Sequence, residues 1–222
     1  MSLTREQIQS GWVQQMAREA GGSFVALSVE QLLASRRAVL AKAPSSDIWI
    51  FGYGSLIWNP AFHFVERSIG TVHGWHRRFC LWTTLGRGSP DCPGLMLGLD
   101  RGGSCRGVLL RIAPELVESE TDVLWRREMV SNAYVPTWVS ASTDKGRIAA
   151  IAFTINREHE RYAEKMSEER AADVIARAAG RIGPCRDYLL NTVDHLDQLG
   201  IEDRAMRRLA ARVRRQLAET AP

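Results

Sequence analysis

A short apolar run leads directly into two glycines, a tyrosine and a serine. The run Ile48-Trp49-Ile50 has the branched and aromatic side chains of a β-strand, and it continues as Phe51-Gly52-Tyr53-Gly54-Ser55-Leu56-Ile57-Trp58. Glycine weakens a strand and is used where the backbone must turn sharply or let another group approach closely. Backbone N–H groups freed by such a turn can bind an anion. The segment therefore predicts the floor of a small-molecule site, although a tight turn that only packs would have the same sequence.

Familiar nucleotide-binding and acyl-transfer motifs do not fit this segment. The glycines lack the spacing of GxGxxG, and no Gly-Lys-Ser/Thr follows as in a P-loop. Position 57 is isoleucine, so the Gly-x-Ser-x-Gly nucleophile elbow is absent as well. The sequence thus disfavours a nucleotide phosphate or an acyl-serine mechanism and leaves a strand-to-loop anion cradle.

Composition predicts an ordinary globular chain without a membrane span or a metal site. Its 222 residues are 45% hydrophobic and 24% charged, enough for one well-buried domain. No apolar stretch of about 18 residues occurs, so we expect no membrane association. Cys80, Cys92, Cys105 and Cys185 form no CxxC pair, which argues against zinc and for free thiols in a reducing cytoplasm.

Arginines are concentrated near the C-terminus. A solvated helix face is the favoured interpretation, because no aromatic residues alternate with them as in a surface that binds single-stranded nucleic acid. We therefore expect no nucleic-acid partner. The arginines are Arg204, Arg207, Arg208, Arg212, Arg214 and Arg215.

Hydrophobic periodicity predicts an N-terminal helical extension over residues 1–46 and a main domain over residues 47–222. Helices are expected at 4–20, with Thr4 as cap and Gln7 three residues later, and at 28–42, with Ser28 as cap. Residues 43–46, Ala-Pro-Ser-Ser, end the second helix.

The main domain alternates strand patterns with helix patterns. We expect strands at 48–51, 68–82, 95–99, 106–112, 134–140 and 147–154, and helices at 114–127, 167–179, 185–199 and from 203 to about 218. Asp100-Arg101-Gly102-Gly103-Ser104 predicts a hairpin turn. The expected fold class is α+β: a small closed or strongly curved antiparallel or mixed β-barrel, flanked by helices.

Glu128 is the candidate proton-transfer group. Large apolar residues surround it in sequence, and they would raise its pKa and fit it to act as a base near neutral pH. An exposed glutamate that pairs with Arg126 or Arg127 at a helix end explains the same residues and is the commoner situation. The apolar neighbours are Leu124, Trp125, Met129 and Val130.

Tyr188 and the histidines give weaker indications. Tyr188 follows Pro184 on a predicted helix, and a buried hydroxyl there would need a ligand or a backbone partner. The histidines are scattered, and nothing in their spacing supports a triad with Ser55. They are His63, His73, His76, His159 and His195.

Several segments together resemble the ChaC-type gamma-glutamylcyclotransferases over about residues 47–200. The opening motif at residues 50–58 matches almost letter for letter, and the Arg127-Glu128 pair follows a predicted helix as in that family. Further matching segments are Gly74-Trp75-His76-Arg77-Arg78-Phe79 and Gly183-Pro184 with Tyr188-Leu189.

The resemblance implies a gamma-glutamylcyclotransferase-like fold and an intracellular enzyme that degrades glutathione. The γ-glutamyl group would cyclise to 5-oxoproline and release cysteinylglycine, with glutathione as the partner and no cofactor or metal. Other γ-glutamyl amines or amino acids remain alternative substrates. The resemblance assigns catalysis to Glu128 and substrate binding to Ile50, Phe51, Gly52, Tyr53, Gly54, Ser55, Leu56, Tyr134 and Tyr188.

Two departures from the family pattern stand out. Similar proteins often have a glycine pair before the tyrosine that follows the glutamate, whereas this chain has Ser131-Asn132-Ala133-Tyr134. Residues 1–46 are absent from compact members of the family, and the sequence assigns them no chemistry.

Overall fold

Five β-strands close into a barrel with the order β1-β3-β2-β4-β5. The computed structural model describes residues 3–20 and 25–219. β1 runs antiparallel to β3 and pairs parallel with β5 at Ile50 and Ile151, which closes the sheet. The predicted α+β fold with a closed, mixed barrel is therefore confirmed. The strands are β1 Ile48–Gly52, β2 Glu66–Thr83, β3 Gly94–Ile112, β4 Tyr134–Thr143 and β5 Gly146–Ile155.

Helices precede β1 in the chain, lie between β3 and β4, and follow β5. The α-helices are α1 Arg5–Gln9, α2 Trp12–Ala20, α3 Val29–Leu40, α4 Val117–Glu128, α5 Glu168–Arg177, α6 Cys185–Gln198 and α7 Arg204–Glu219. Short 3-10 helices cover Ser55–Ile57 and Pro114–Leu116, and β6 Ala179–Gly180 pairs with β7 Gly183–Pro184. None of the helices in the described parts of the chain combines the length and apolar character that crossing a membrane requires.

The predicted hairpin turn at residues 100–104 is wrong. β3 runs through these residues and pairs antiparallel with β2 along most of its length. Gly102 (φ 103°) and Gly103 (φ 68°) lie opposite Gly74 (φ 80°), where the register of the two strands shifts. The positive φ angles of these glycines allow a local irregularity within the long β2–β3 pair, and the chain does not reverse direction there. The reversal occurs at residues 84–93.

The predicted single helix over residues 4–20 is two helices. Gly11, with φ 76°, separates α1 from α2, because that left-handed conformation cannot continue a right-handed helix. The predicted caps are confirmed: Thr4 with Gln7 and Ser28 with Gln31 each form a reciprocal capping box.

The N-terminal helices share the hydrophobic core of the barrel. Ile8, Val13 and Leu32 belong to the same buried cluster as the barrel strands. Trp138 of β4 donates its indole N–H to Val39 O at 3.1 Å. The boundary at residue 46 stays a prediction from sequence, but the segment before it packs as part of one body.

The C-terminal arginines of α7 form ion pairs on an exposed face. Arg207 lies 2.8 Å from Asp197, and Arg208 lies 3.0 Å from Glu168. These contacts connect α7 to α6 and to the start of α5, and they favour the solvated-face interpretation.

Candidate active site

The first residues of the motif at 50–58 have a structural role in β1. Ile50 and Phe51 are fully buried and pair with β3, away from the cavity described below. A Cβ on Gly52 would lie 3.0 Å from Val108 Cγ2 and 3.1 Å from Leu56 Cβ, so the glycine lets β1 pack closely. Any part that these residues play in substrate binding acts through the turn that they hold.

The turn that follows β1 leaves its first N–H groups out of its own hydrogen bonding. Its bonds are donated by Ile57 to Gly54 O (2.9 Å), and by Trp58 (3.2 Å) and Asn59 (2.8 Å) to Ser55 O. The N–H groups of residues 54–56 donate none of these bonds, and all three residues line the cavity. This is the arrangement that an anion cradle requires.

Tyr188 lies against the start of this turn. A Cβ on Gly54 would be 2.8 Å from the Tyr188 hydroxyl oxygen, which only a glycine tolerates without movement. Burial raises the pKa of Tyr188, and the nearby backbone of Ser55 opposes this rise without cancelling it, so the phenol is neutral. The structure thus places Tyr188 beside Gly54 and Ser55.

Two further tyrosine hydroxyls are committed to the backbone. Tyr53 donates to Phe153 O and Tyr134 donates to Leu97 O, each at 2.6 Å. Burial raises the pKa of both phenols well above the ordinary value. Both rings line the cavity, so they shape it with their faces while their hydroxyls lock the turn and the start of β4 to neighbouring strands.

Glu128 is the last residue of α4, and its side chain is only 16% exposed. Burial raises the pKa of the carboxyl, and the nearby Arg127 guanidinium opposes this rise without cancelling it. Oε1 lies 2.9 Å from Arg127 Nε in a close ion pair that lacks the alignment of a hydrogen bond. Glu128 therefore pairs with Arg127 as a surface glutamate would, but its side chain is mostly buried.

Arg127 ties the catalytic candidate to the turn. Its Nη2 donates to Ser55 Oγ at 2.8 Å, and its Nη1 donates to Pro60 O at 3.1 Å and to Asn59 O. The Ser55 hydroxyl therefore accepts from an arginine, which is not the partner of a serine nucleophile. Sequence reasoning noted Arg127 only as a neighbour of Glu128; the structure makes it a clamp between two halves of the site.

A cavity of about 190 Å³ brings these groups together. Tyr53, Tyr134 and Tyr188 line it together with Glu128 and the 54–56 turn. Its charged lining consists of Glu128 and three arginines, and the other walls are largely apolar. The arginines are Arg87, Arg127 and Arg161.

Arg87 and Arg161 were missed by sequence reasoning. Arg87 donates to Pro184 O at 3.1 Å, and Arg161 donates to Ser131 Oγ at 2.6 Å. Burial lowers the pKa of both guanidinium groups, which remain charged because arginine starts so high. The glycines on either side of Arg87 were the available sequence signal, since glycine is used where the backbone is approached closely. The structure has such an approach, because a Cβ on Gly88 would lie 2.3 Å from Gly94 N.

The described residues contain no cluster of side chains that could bind a metal ion. The structure there groups no three side chains of histidine, cysteine, aspartate or glutamate around a common point.

A family model described as ChaC-like protein matches residues 48–216. The chain belongs to the ChaC-like family. It is 43% identical to the glutathione-specific gamma-glutamylcyclotransferase of Escherichia coli, over 88% of this chain and 85% of that protein. It is 34% identical to the gamma-glutamylcyclotransferase 2-3 of Arabidopsis thaliana, over 78% of this chain and 92% of that protein.

Among solved structures, the barrel resembles that of a yeast gamma-glutamyl cyclotransferase specific to glutathione. The TM-score is 0.71 at 22% identity, covering 77% of this chain and 97% of the yeast chain. At this identity the similarity establishes the fold.

The segment 131–133, which departs from the ChaC-type pattern, is held by hydrogen bonds from Arg161 and Asn156. Ser131 Oγ accepts from Arg161, and Asn156 binds the carbonyls of Asn132 (through Nδ2) and Ala133 (through N), both at 2.9 Å. Tyr134 still reaches the cavity at the end of this segment. Asn156 and Arg161 therefore support the loop that follows Glu128.

Proposed function

We propose that this protein is a glutathione-specific gamma-glutamylcyclotransferase, a lyase that degrades glutathione. The named activity of the Escherichia coli relative supports the substrate, at 43% identity over most of both chains. The observation that carries the proposal for the site is a buried carboxylate, Glu128, on the same cavity as the anion-binding turn.

The reaction needs positioning and proton transfer but no water. The α-amine of the γ-glutamyl group attacks its own γ-carbonyl, a new C–N bond closes the five-membered ring, and the amide bond to cysteine breaks. Both reacting groups belong to one molecule, so the enzyme contributes by holding the conformation that brings them together.

Glu128 is the proposed acid–base residue. The substrate amine is largely protonated at neutral pH, so a base must accept its proton before attack, and the departing amine must receive one. A carboxylate with a pKa raised by burial serves both steps in turn. Arg127 holds it in place through the ion pair at 2.9 Å.

The N–H groups of residues 54–56 are the proposed site for the α-carboxylate of the γ-glutamyl group. They donate none of the turn's own bonds, and their residues lie on the cavity wall with Tyr188. An oriented carboxylate there fixes the amine and the γ-carbonyl relative to Glu128.

The arginines favour glutathione over simpler γ-glutamyl amines. Glutathione has a second carboxylate on its glycine, and Arg87 and Arg161 provide cations on the cavity wall for it. A γ-glutamyl amine without this carboxylate would lack the electrostatic attraction to the two arginines, so we expect weaker binding of such substrates. The four free thiols fit the reducing cytoplasm in which such a substrate is found.

Replacing Glu128 tests the proposal. We expect Glu128→Gln to release 5-oxoproline from glutathione about 10²- to 10⁴-fold more slowly than the wild type. The fold should be retained, because Arg127 keeps its bonds to Ser55 and Pro60. Glu115→Gln is the matched control, since Glu115 is exposed and lies just before α4. Wild-type turnover by Glu128→Gln would remove the assignment.

A further inference from the structure

The N-terminal helices form part of the cavity wall. Leu3, Val13 and Met16 all line it. Val13 and Met16 are one turn apart on the same face of α2 and are 5% and 3% exposed. These three side chains are called the roof below.

The start of the chain is fixed next to the glycine turn. Asn59 Nδ2 donates to Leu3 O at 2.9 Å. Arg5 binds both oxygens of Glu120, at 2.5 Å and 2.8 Å, and Glu120 is 1% exposed. His63 N–H donates to the same carboxylate at 2.7 Å. Two hydrogen bonds from one arginine to a buried carboxylate hold α1 in one position.

Helix α2 contacts α4, the helix that ends at Glu128, and also contacts another edge of the cavity. Gln14 Nε2 donates to Arg126 O at 2.6 Å, two residues before Glu128. Towards the other end of the helix, Glu19 pairs with Arg181 at 2.7 Å, beside Ile182, which also lines the cavity. The roof is therefore attached at both ends to residues that border the site.

The roof is an entirely apolar part of the wall, and it faces a cavity whose lining elsewhere is also largely apolar. Leucine, valine and methionine offer no strong donor or acceptor, whereas the polar lining consists of the backbone N–H groups of the turn, a carboxylate and arginines. Glutathione has two carboxylates, an ammonium group, two amides and one thiol. Its charged and amide groups require polar partners, while a thiol behaves as a small hydrophobic group and packs well on methionine.

We propose that the roof binds the cysteinyl side chain of the substrate, which makes α2 a specificity-determining element. This inference rests on the proposed function for the identity of the ligand. Met16 and Val13 then select the middle residue of the tripeptide, while the turn at 54–56 and the arginines bind its two charged ends.

Calorimetry in the Glu128→Gln background tests the roof without turnover. The two ligands are glutathione and the same tripeptide with serine in place of cysteine. We expect Met16→Ser to weaken glutathione binding about threefold to tenfold, and to leave the affinity for the serine peptide unchanged or higher. Val13→Thr, which keeps the shape and adds a hydroxyl, should shift the ratio of the two affinities in the same direction.

Matched variants separate specificity from general damage. Met16→Leu should keep the preference for glutathione because it keeps an apolar wall. Gln15→Ser should keep it as well, because Gln15 is exposed on the opposite side of α2. If both affinities fall in parallel in Met16→Ser and Val13→Thr, if neither changes, or if neither peptide binds, the roof proposal is overturned.

The proposed function is judged separately, by turnover of glutathione in the wild type. A protein that shows the affinity shift but forms no 5-oxoproline would contradict the proposed function and keep the roof. A protein that forms 5-oxoproline with an unchanged affinity ratio would do the reverse.

Discussion

Glu128 differs from an ordinary surface glutamate because its charge is carried in a mostly buried position. Burial favours the protonated carboxyl and raises its pKa, and the adjacent Arg127 limits the rise. A group of this kind is poised to accept and return a proton. The residue thereby combines a structural disadvantage with a chemical use.

The raised pKa of Glu128 predicts an acid limb in the pH profile. The carboxylate is the active base, so kcat/KM for glutathione should fall as the pH drops through the raised pKa of the free enzyme. The midpoint should lie above 4.5, the unperturbed value for glutamate. Steady-state kinetics between pH 4 and 8 measures it, with circular dichroism to confirm that the fold persists. A rate that is constant down to pH 4.5 would exclude Glu128 as the base.

Gly54 is required by the hydroxyl that faces it. Gly54→Ala would place a Cβ 2.8 Å from the Tyr188 oxygen and displace the phenol or the turn. We expect KM for glutathione to rise about tenfold or more, since a displaced cradle loses about 1.4 kcal/mol of binding.

The double variant Gly54→Ala with Tyr188→Phe provides the control for this prediction. Removing the hydroxyl removes the contact, so part of the lost affinity should return relative to Gly54→Ala alone. If the loss of affinity in the double variant equals the sum of the losses in the two single variants, the steric explanation is wrong.

At the level of secondary structure, the sequence predicts what depends on local signals. Helix caps at Thr4 and Ser28 and the strands β4 and β5 follow from residue type and spacing. The glycines at 102 and 103 misled the prediction, because positive φ serves a turn and a bulge equally well. Only the pairing with β2, which is a long-range contact, decides between them.

The site divides in the same way. Glu128 and the glycine turn could be found from their neighbours and from the family resemblance. Arg87, Arg161 and the roof could not, since they reach the cavity from segments far apart in sequence. No local pattern distinguishes an arginine or a methionine that points into a cavity from one that packs elsewhere.

The loop after β5 is held by a buried carboxylate, and this predicts a stability change with pH. Asp100 accepts from Arg78 and Arg157 at 2.8 Å and 2.6 Å and from Tyr162 at 2.9 Å. Burial alone would raise the pKa of Asp100, but these bonds lower it from 3.8 to about 2. The stability contributed is therefore present above pH 4 and is lost as the pH falls towards 2.

Asp100→Asn should lower the free energy of unfolding at pH 7 by about 2 kcal/mol, since each pKa unit corresponds to about 1.4 kcal/mol. Wild type and variant should converge as the pH approaches 2. Urea unfolding across this range measures both, and Asp144→Asn, in the turn between β4 and β5, is the control. A difference that is independent of pH would show that the ionised carboxylate contributes no stability.

At the scale of the whole molecule, the barrel and the N-terminal helices build one site. β1 supplies the turn, α4 supplies Glu128, α6 supplies Tyr188, and α2 covers the cavity. The polar groups of the site converge from separate elements onto one cavity, whose volume is about 190 Å³. This arrangement fits a reaction within one small molecule, where the protein must fix a conformation and move a proton.

The most direct test follows the oxygen atoms of the products. Glutathione is incubated with the wild-type protein in water labelled with oxygen-18, and the products are identified by mass spectrometry. Intramolecular cyclisation predicts 5-oxoproline and cysteinylglycine in equal amounts, with no label in the 5-oxoproline. Labelled glutamate would show that water is the nucleophile, and the absence of both products would show that glutathione is not the substrate; either result would contradict the proposed reaction.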